Sequence, residues 1–412
     1  MKYGLLGEHL SHSYSPLIHS LFGDYEYCLF ERSPHEVEDF LKHGDFQAIN
    51  VTIPYKKAVI PYLSALSERA LKVGSVNVVI RRPDGTLYGD NSDYGGFASL
   101  VRKSKIKIKD KKVLILGTGG TSKTAQAVCE SLGVGEIIVV SRKGEVNYEN
   151  LHLHHADADF IINTTPSGMY PDCGSKPIDI TPFTQLEGVV DAVYNPLRTN
   201  LVLDAKERGI KAECGLYMLV MQAVVAVEKF LDTSIPKEQA DRVFADIFAS
   251  KENIVLTGMP GSGKSTVGNL LHVDGFEFID IDAEVEKRCG CSIKEMIQAK
   301  GETYFRDLET EVIRDVSSQS CRIISTGGGA ILREENVRLL RQNGKLFFLD
   351  ADLNRLQATA SRPLSDTPEK LQKLYAERID IYRSTAHVIV PDLGTAEKEA
   401  SYIMTKRKEL IL

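Results

Sequence analysis

Val113-Leu-Ile-Leu-Gly117-Thr-Gly119-Gly120 and Ile254-Val-Leu-Thr-Gly258-Met-Pro-Gly261-Ser262-Gly263-Lys264-Ser265-Thr266 are two apolar strands, each running into a glycine turn. The two turns differ in chemistry. The first, Gly117-x-Gly119-Gly120, suits a pyrophosphate seated at the N-terminus of a following helix, expected over Lys123–Leu132. The second is a complete G-x-x-x-x-G-K-S loop. Its backbone amides, from Gly261 through Thr266, cradle phosphates, Lys264 neutralises terminal phosphate charge and Ser265 can ligate Mg2+. A chain with one dinucleotide loop and one nucleoside triphosphate loop is expected to run two reactions.

Working outward, strand and helix patterns alternate on both sides of these loops, which predicts an α/β protein with parallel sheets. Val113–Leu116, Glu136–Val140, Phe160–Asn163 and Val189–Val193 read as buried strands around the first loop. Ile254–Thr257, Phe278–Ile281, Arg322–Thr326, Lys345–Leu349 and Val388–Val390 do so around the second. Ahead of both, Phe46–Pro54 is a strand stopped by proline. Val76–Ile80 and Thr86–Gly89 form a hairpin across the turn Pro83-Asp-Gly85. Residues 216–248 are helical, with a break at Pro236. The link near 248–253 is short and has no flexible spacer, so the two halves are expected to be held close.

At 412 residues the chain calls for two or three domains. Apolar content of 43% and charged content of 26% fit a globular protein. The net charge of −6 and the lack of a long basic run speak against nucleic acid or an anionic membrane as partner. No apolar run is long enough for a bilayer, and the N-terminus reads as a strand rather than a signal peptide. Seven scattered cysteines, with no C-x-x-C pair, read as reduced thiols in the cytoplasm; the closest pair is Cys289-Gly-Cys291. His152-x-His154-His155 has no metal-site frame around it and is expected to be a solvated loop.

The strand after the first loop ends in Ser141-Arg142-Lys143, where a NAD site would carry an acid for the ribose hydroxyl. Two cations there suit a ribose 2′-phosphate and favour NADP. A rival reading remains: Gly117–Thr124 nearly spells a second triphosphate loop, with Ser122 in place of its last glycine.

Ser13-Tyr-Ser15-Pro16-Leu-Ile-His19, Asn50-Val-Thr52-Ile-Pro54-Tyr-Lys56, Gly74-Ser-Val-Asn77 and Gly89-Asp-Asn-Ser-Asp93 follow one another in the first part of the chain. Asn163-Thr-Thr-Pro-Ser-Gly168, Asp191-Ala-Val-Tyr194-Asn195-Pro196 and Gly215-Leu-Tyr-Met-Leu-Val-Met-Gln222 continue the series. Residues 1 to about 248 thereby resemble the shikimate dehydrogenases. The resemblance implies a substrate domain over 1–96, completed by about 224–248, and a Rossmann NADP domain over 97–223. It implies reversible NADPH reduction of 3-dehydroshikimate to shikimate, with Lys56 and Asp93 as the acid–base pair. A Lys on the reacting oxygen can serve both directions, and the neighbouring carboxylate orients it. Ser13 and Ser15 would hold the substrate carboxylate, with Tyr194 near it. Thr52, Asn77 and Gln222 would hydrogen-bond ring hydroxyls. Gly117, Gly119, Gly120, Ser141, Arg142 and Lys143 would bind the cofactor. Ser122 and Lys123 follow the turn where relatives usually carry Ala or Ser and Arg, and Ser141 stands where Asn is commoner.

Behind the second loop stand Phe278-Ile-Asp280-Ile-Asp282, Gly301-Glu-Thr-Tyr-Phe-Arg306-Asp-Leu-Glu309, Thr326-Gly327-Gly328-Gly329, Arg362-Pro363-Leu364 and Arg378-Ile-Asp-Ile-Tyr382. Residues 251–412 are similar to the shikimate kinases, which transfer the ATP γ-phosphoryl to the shikimate 3-hydroxyl. The resemblance implies Asp282 on the acceptor hydroxyl and Mg2+ held through Ser265 and Asp280. Arg306 and Arg378 would grip the substrate carboxylate, with Glu309 orienting Arg306. Gly327, Gly328 and Gly329 would let the backbone approach substrate. Arg362 would reach the phosphates from the edge of a lid over Ser365–Lys373. The segment Leu356–Arg362 looks short and lacks the family's extra arginine, and Ser365 replaces a leucine. A bifunctional enzyme for two consecutive steps is the expectation. Decay of one half to a binding module, or quinate as the first substrate, stays open, as does the oligomeric state.

Overall fold

The computed structural model describes residues 2–10, 14–356 and 367–411. Its contacts divide the chain into two compact units, Met1–Asn195 with Thr199–Asp246, and Pro196–Arg198 with Ile247–Leu412.

The first unit opens with β1 (Tyr3–Gly7), α1 (Ser15–Ser20), β2 (Tyr27–Glu31), α2 (Val37–His43), β3 (Ala48–Val51), β4 (Ala65–Leu66), α3 (Glu68–Val73), β5 (Val78–Arg81) and β6 (Leu87–Asp90). These strands make a mixed sheet in the order β2-β1-β3-β5-β6-β4. The predicted hairpin is β5–β6, antiparallel with Val79 opposite Gly89. Next come α4 (Ser92–Lys103), β7 (Lys112–Leu116), α5 (Gly120–Ser131), β8 (Glu136–Val140), α6 (Leu151–His154), β9 (Phe160–Asn163), β10 (Gly188–Asp191), α7 (Asn200–Glu207), β11 (Lys211–Cys214) and α8 (Leu216–Leu231). Here the sheet is all parallel, ordered β11-β10-β9-β7-β8. Its edge strand β11, Lys-Ala-Glu-Cys, has too few apolar residues to show in the sequence pattern.

Two helices join these sheets. Phe97, Leu100 and Val101 of α4 pack on β7, β9 and β10. Ala226 and Phe230 of α8 pack on Tyr3, Ala48 and Val78 of the first sheet, while Tyr217 of the same helix packs with the second. An apolar stripe that long, recurring at helical spacing, needs cover on two sides, and the two sheets supply it.

α9 (Lys237–Lys251) follows Pro236 and runs almost directly into β12 (Asn253–Thr257). The second unit continues with α10 (Lys264–Leu270), β13 (Glu277–Asp280), α11 (Ile281–Cys289), α12 (Ile293–Lys300), α13 (Glu302–Ser318), β14 (Arg322–Ser325), α14 (Glu334–Asn343), β15 (Gly344–Asp350), α15 (Pro368–Thr385), β16 (Val388–Pro391) and α16 (Ala396–Ile411). Its five strands are parallel in the order β13-β14-β12-β15-β16. The central strand β12 is buried throughout, as a strand covered on both faces must be. The glycine loop leaves its C-terminal end, where open α/β sheets bind ligands.

Three local expectations are corrected. The first-loop helix begins at Gly120 rather than Lys123, because nothing in Gly-Thr-Ser stops a helix and Gly119 serves as its N-cap. His152 and His154 lie in the short helix α6, anchored by buried Leu151, and not in a loop. Residues 368–373, expected in a lid, form the start of α15: the Thr367 side chain caps the helix, Pro368 opens it, and Leu371 is buried. No helix among the described residues is long and apolar enough to cross a membrane.

Candidate active sites

In the first unit, a cavity of about 570 Å³ opens between the C-terminal ends of β1 and β3, the start of α4 and the face of α8. Lys56 and Asp93 meet in it. Lys56 Nζ donates to Asp93 Oδ2 at 2.6 Å, and their side chains keep 31% and 16% exposure. Asp93 sits in the first turn of α4, but the helix cap is Asn91, whose side chain accepts from the Tyr94 amide. Asp93 is thus left to the lysine. Ser15, Thr52, Asn77, Tyr194 and Gln222 line the same cavity. Ser13 lies outside the described residues. Asn77 is fixed: its Oδ1 accepts from the Ser92 amide at 2.7 Å, which leaves Nδ2 as its remaining donor.

Asn50, His19 and Thr121 also line this cavity and carry no role in the sequence reading. The signals were present. Asn50 and Thr52 are two residues apart, so they share one face of the strand region. Ser15 and His19 are four apart on α1 and share a helix face. Tyr27 braces the group, donating to Asn50 Oδ1 at 2.8 Å. His19 stacks on Tyr27, and its Nδ1 lies 2.6 Å from the Tyr25 hydroxyl; burial holds its pKa down to about 3, so it is neutral.

Thr121 belongs to the first turn of α5, so the helix that follows the glycine turn borders the Lys56 cavity. A Cβ added at Gly119 or Gly120 would meet nothing within 4 Å, whereas at Gly117 (φ +103°) it would press on Thr164 and Thr165 at 3.0 Å. The turn is packed at its root and open at the helix N-terminus, which fits a pyrophosphate there. Ser141 is half-buried at the end of β8, with Arg142 and Lys143 exposed beside it. The loop carrying Tyr194 is pinned by Asp191. This wholly buried carboxylate accepts from Asn163 Nδ2 (3.0 Å), the Val193 amide (2.9 Å) and Thr199 Oγ1 (2.7 Å). Burial nevertheless pushes its pKa up to about 7.

The second unit holds a cavity of about 780 Å³ along its glycine loop. Gly261 and Gly263 adopt φ of +87° and +88°, a region other residues avoid. Lys264 Nζ donates to the carbonyls of Gly258 (2.9 Å) and Met259 (3.0 Å). Ser262 Oγ is buried without a partner, an unused polar atom inside the loop that fits a bound phosphate. Ser265 Oγ donates to Asp280 Oδ2 at 2.6 Å, while Asp280 Oδ1 caps α11 by accepting from the amides of Asp282 and Ala283. A serine and a carboxylate so joined beside the loop fit Mg2+, a hard cation with oxygen ligands.

Asp282, Arg306, Gly328 and Arg378 face this cavity together. Arg306 Nη1 donates to Glu309 Oε2 at 2.8 Å, and Glu302 holds its other edge. Glu309 is fully buried; burial raises its pKa against the pull of Arg306. Burial also disfavours the Arg306 cation, but Glu309 and Glu302 outweigh that effect. Arg378 Nη1 donates to the Gly328 carbonyl at 2.9 Å. The glycines have a reason beyond backbone approach. A Cβ at Gly327 would lie 2.6 Å from Asp282 and Glu309 carboxylate oxygens, and one at Gly329 would lie 2.3 Å from Arg306 Nη2. They clear space for the side chains that build the site.

Arg362 and Ser365 lie outside the described residues. An arginine does precede them at the cavity: Arg355, on a 3-10 turn after β15, lines it and pairs with Asp392. It stands one residue ahead of the Leu356–Arg362 segment in which the family's extra arginine is expected.

Comparison with known proteins bears on both halves of the chain. Residues 5–79 match the family described as shikimate dehydrogenase substrate binding domain, and residues 260–408 match shikimate kinase. The shikimate dehydrogenase (NADP(+)) of Clostridium beijerinckii is 36% identical over 246 residues, which are 55% of this chain and 90% of that protein. A chorismate mutase/shikimate 5-dehydrogenase fusion protein from Clostridium acetobutylicum is similar in structure. Its TM-score is 0.56 at 35% identity, covering 60% of this chain and 96% of that one. The Thermus thermophilus shikimate 5-dehydrogenase, solved with NADP(H) and shikimate, gives a TM-score of 0.52 at 25% identity, covering 60% of this chain and 99% of that one. Over the part that carries the Lys56 cavity this chain belongs to the shikimate dehydrogenase family, and a shikimate kinase domain follows it.

Proposed function

We propose that this bifunctional enzyme reduces 3-dehydroshikimate to shikimate with NADPH in its first unit and phosphorylates shikimate to shikimate 3-phosphate with ATP in its second. One observation carries the reading. Each unit gathers titratable side chains in a cavity bordered by its own glycine loop or the helix that follows it, Lys56 with Asp93 in one and Asp282 in the other. We assign 1–96, completed by about 224–248, to substrate binding, 97–223 to NADP and 251–412 to the kinase.

In the first site the bound dinucleotide supplies the hydride. Ser13, Ser15 and Tyr194 hold the substrate carboxylate, and Thr52, Asn77 and Gln222 hold ring hydroxyls. A site built from such neutral groups rejects rings that lack their partners, since its buried amides would be left unpaired. Lys56 gives its proton to the oxygen left by ketone reduction, and Asp93 aims the ammonium. In the reverse direction the same nitrogen takes the proton back. Arg142 and Lys143 meet the ribose 2′-phosphate.

In the second site Mg-ATP supplies the phosphoryl group. Lys264, which donates to the Gly258 and Met259 carbonyls, would turn to phosphate oxygens, and Ser265 and Asp280 would hold the cation. Arg306 and Arg378 clamp the acceptor carboxylate, a match for the guanidinium fork. Asp282 orients the acceptor hydroxyl and accepts its proton. The partners are small molecules, with no role for nucleic acid or membrane, and the seven free thiols support a cytoplasmic setting.

The test is one assay on the purified chain with 3-dehydroshikimate, NADPH and Mg-ATP. Loss of NADPH absorbance with formation of shikimate 3-phosphate is the expected result. Accumulation of shikimate would refute the kinase assignment, and unchanged NADPH would refute the dehydrogenase.

A further inference from the structure

The turn between α11 and α12 carries two thiols that neither reaction uses. Cys289 ends α11 and Cys291 stands just before the Ser292 cap of α12, with Sγ atoms 3.2 Å apart. Both are half-buried and reachable from solvent. Gly290 between them is in the left-handed conformation (φ +72°), and no atom lies within 4 Å of where its Cβ would be. Closing a disulfide would draw the sulfurs from 3.2 Å to roughly 2.05 Å. On either side of it, Glu286, Ser292, Ile293 and Lys294 line the kinase cavity. Glu286 Oε1 also accepts from the Ile293 amide at 3.0 Å, which ties the turn to the cavity wall. Farther up α11, Asp282 sits in the first turn and lines the same cavity.

We propose that Cys289 and Cys291 are a modification site: a dithiol that small-molecule disulfides oxidise reversibly, changing the acceptor side of the kinase cavity. The exchange balances without any other reactant. The Cys289 sulfur, as thiolate, attacks one sulfur of the small disulfide and expels one thiolate. Cys291 then attacks Cys289 Sγ in the mixed disulfide and expels the second. The two cysteine protons end on the two released thiols. Either thiol can donate across the 3.2 Å contact, so the same exchange balances with the two cysteines interchanged. A ring closed over a single glycine is strained, which places such a bond among the readily reduced, regulatory disulfides.

The test uses the full chain, equilibrated with oxidised and reduced glutathione at several ratios and then alkylated. Trypsin cuts after Arg288 and Lys294, so both cysteines fall in one peptide, Cys289–Lys294. The expected result is a peptide two hydrogens lighter and unalkylated under oxidising ratios, and doubly alkylated after reductant. The kinase KM for shikimate should rise several-fold in step with that species and recover on reduction. Reduction of 3-dehydroshikimate should not change. Cys289→Ser and Cys291→Ser should each keep the reduced-state KM and lose its redox dependence. Absence of the lighter peptide overturns the proposal, as does its formation with an unchanged KM. The peptide mass does not depend on the assigned kinase activity, so failure of that assignment would show separately.

Discussion

The Lys56–Asp93 pair offers the sharpest test of the first site. Replacing Asp93 by Asn removes the charge from the acceptor of the 2.6 Å bond while keeping its shape. A hydrogen bond to a charged group is worth about 1.5–3 kcal/mol. At about 1.36 kcal/mol per decade, kcat for ketone reduction should fall about 10- to 150-fold. Lys56→Ala removes the proton donor itself and should cost about 10²- to 10⁴-fold. If Asp93 works mainly by aiming Lys56, the double variant should be little slower than Lys56→Ala alone. The assay is NADPH absorbance under saturating 3-dehydroshikimate, with phosphorylation of shikimate measured on the same samples. The kinase rate should not move. Full multiplication of the two losses would refute the positioning role of Asp93. A parallel fall in kinase activity would refute independent sites.

Arg142→Ala should weaken NADP binding by about 10- to 150-fold, the worth of one charge-assisted contact, and leave NAD nearly unaffected; equal weakening by titration with both would remove Arg142 from the 2′-phosphate. Gly329→Ala would place a methyl 2.3 Å from Arg306 Nη2, and a displacement of about 1 Å in a binding group can cost about 100-fold. Kinase kcat/KM for shikimate should fall by that order with the thermal unfolding profile retained, and a normal value would show that Arg306 has somewhere else to go. Asp191 titrates near pH 7 when folded and near 3.8 when unfolded. The folded state thus binds the extra proton between these values, and the stabilisation it brings is full below about 3.8 and lost as pH rises through 7. Urea unfolding of Asp191→Asn should lack the decline that the parent shows across that window, and parallel pH profiles would contradict the assignment.

The sequence by itself determined the α/β class, the two loops and every strand of the two parallel sheets but β11, because buried parallel strands are continuous apolar runs and each glycine loop interrupts one at a fixed place; β2 and β4 of the mixed sheet it did not single out. It also singled out Lys56, Asp93, Asp282, Arg306 and Arg378, polar groups within ordered motifs that the structure gathers at two cavities. Where apolar content was thin, as in β11, the pattern fell silent. Tertiary structure alone decided what meets what. Lys56 and Asp93 are 37 residues apart, and only the pairing of β3 with β5 and of β5 with β6 brings the lysine's loop to the start of α4. The same holds for the placement of Asn50, His19 and Arg355 at the cavities, and for the crowding around the glycines at 327–329. Spacing along a chain encodes local conformation, which is short-ranged. A cavity wall is assembled from distant segments, and its membership is set by packing that no single segment contains.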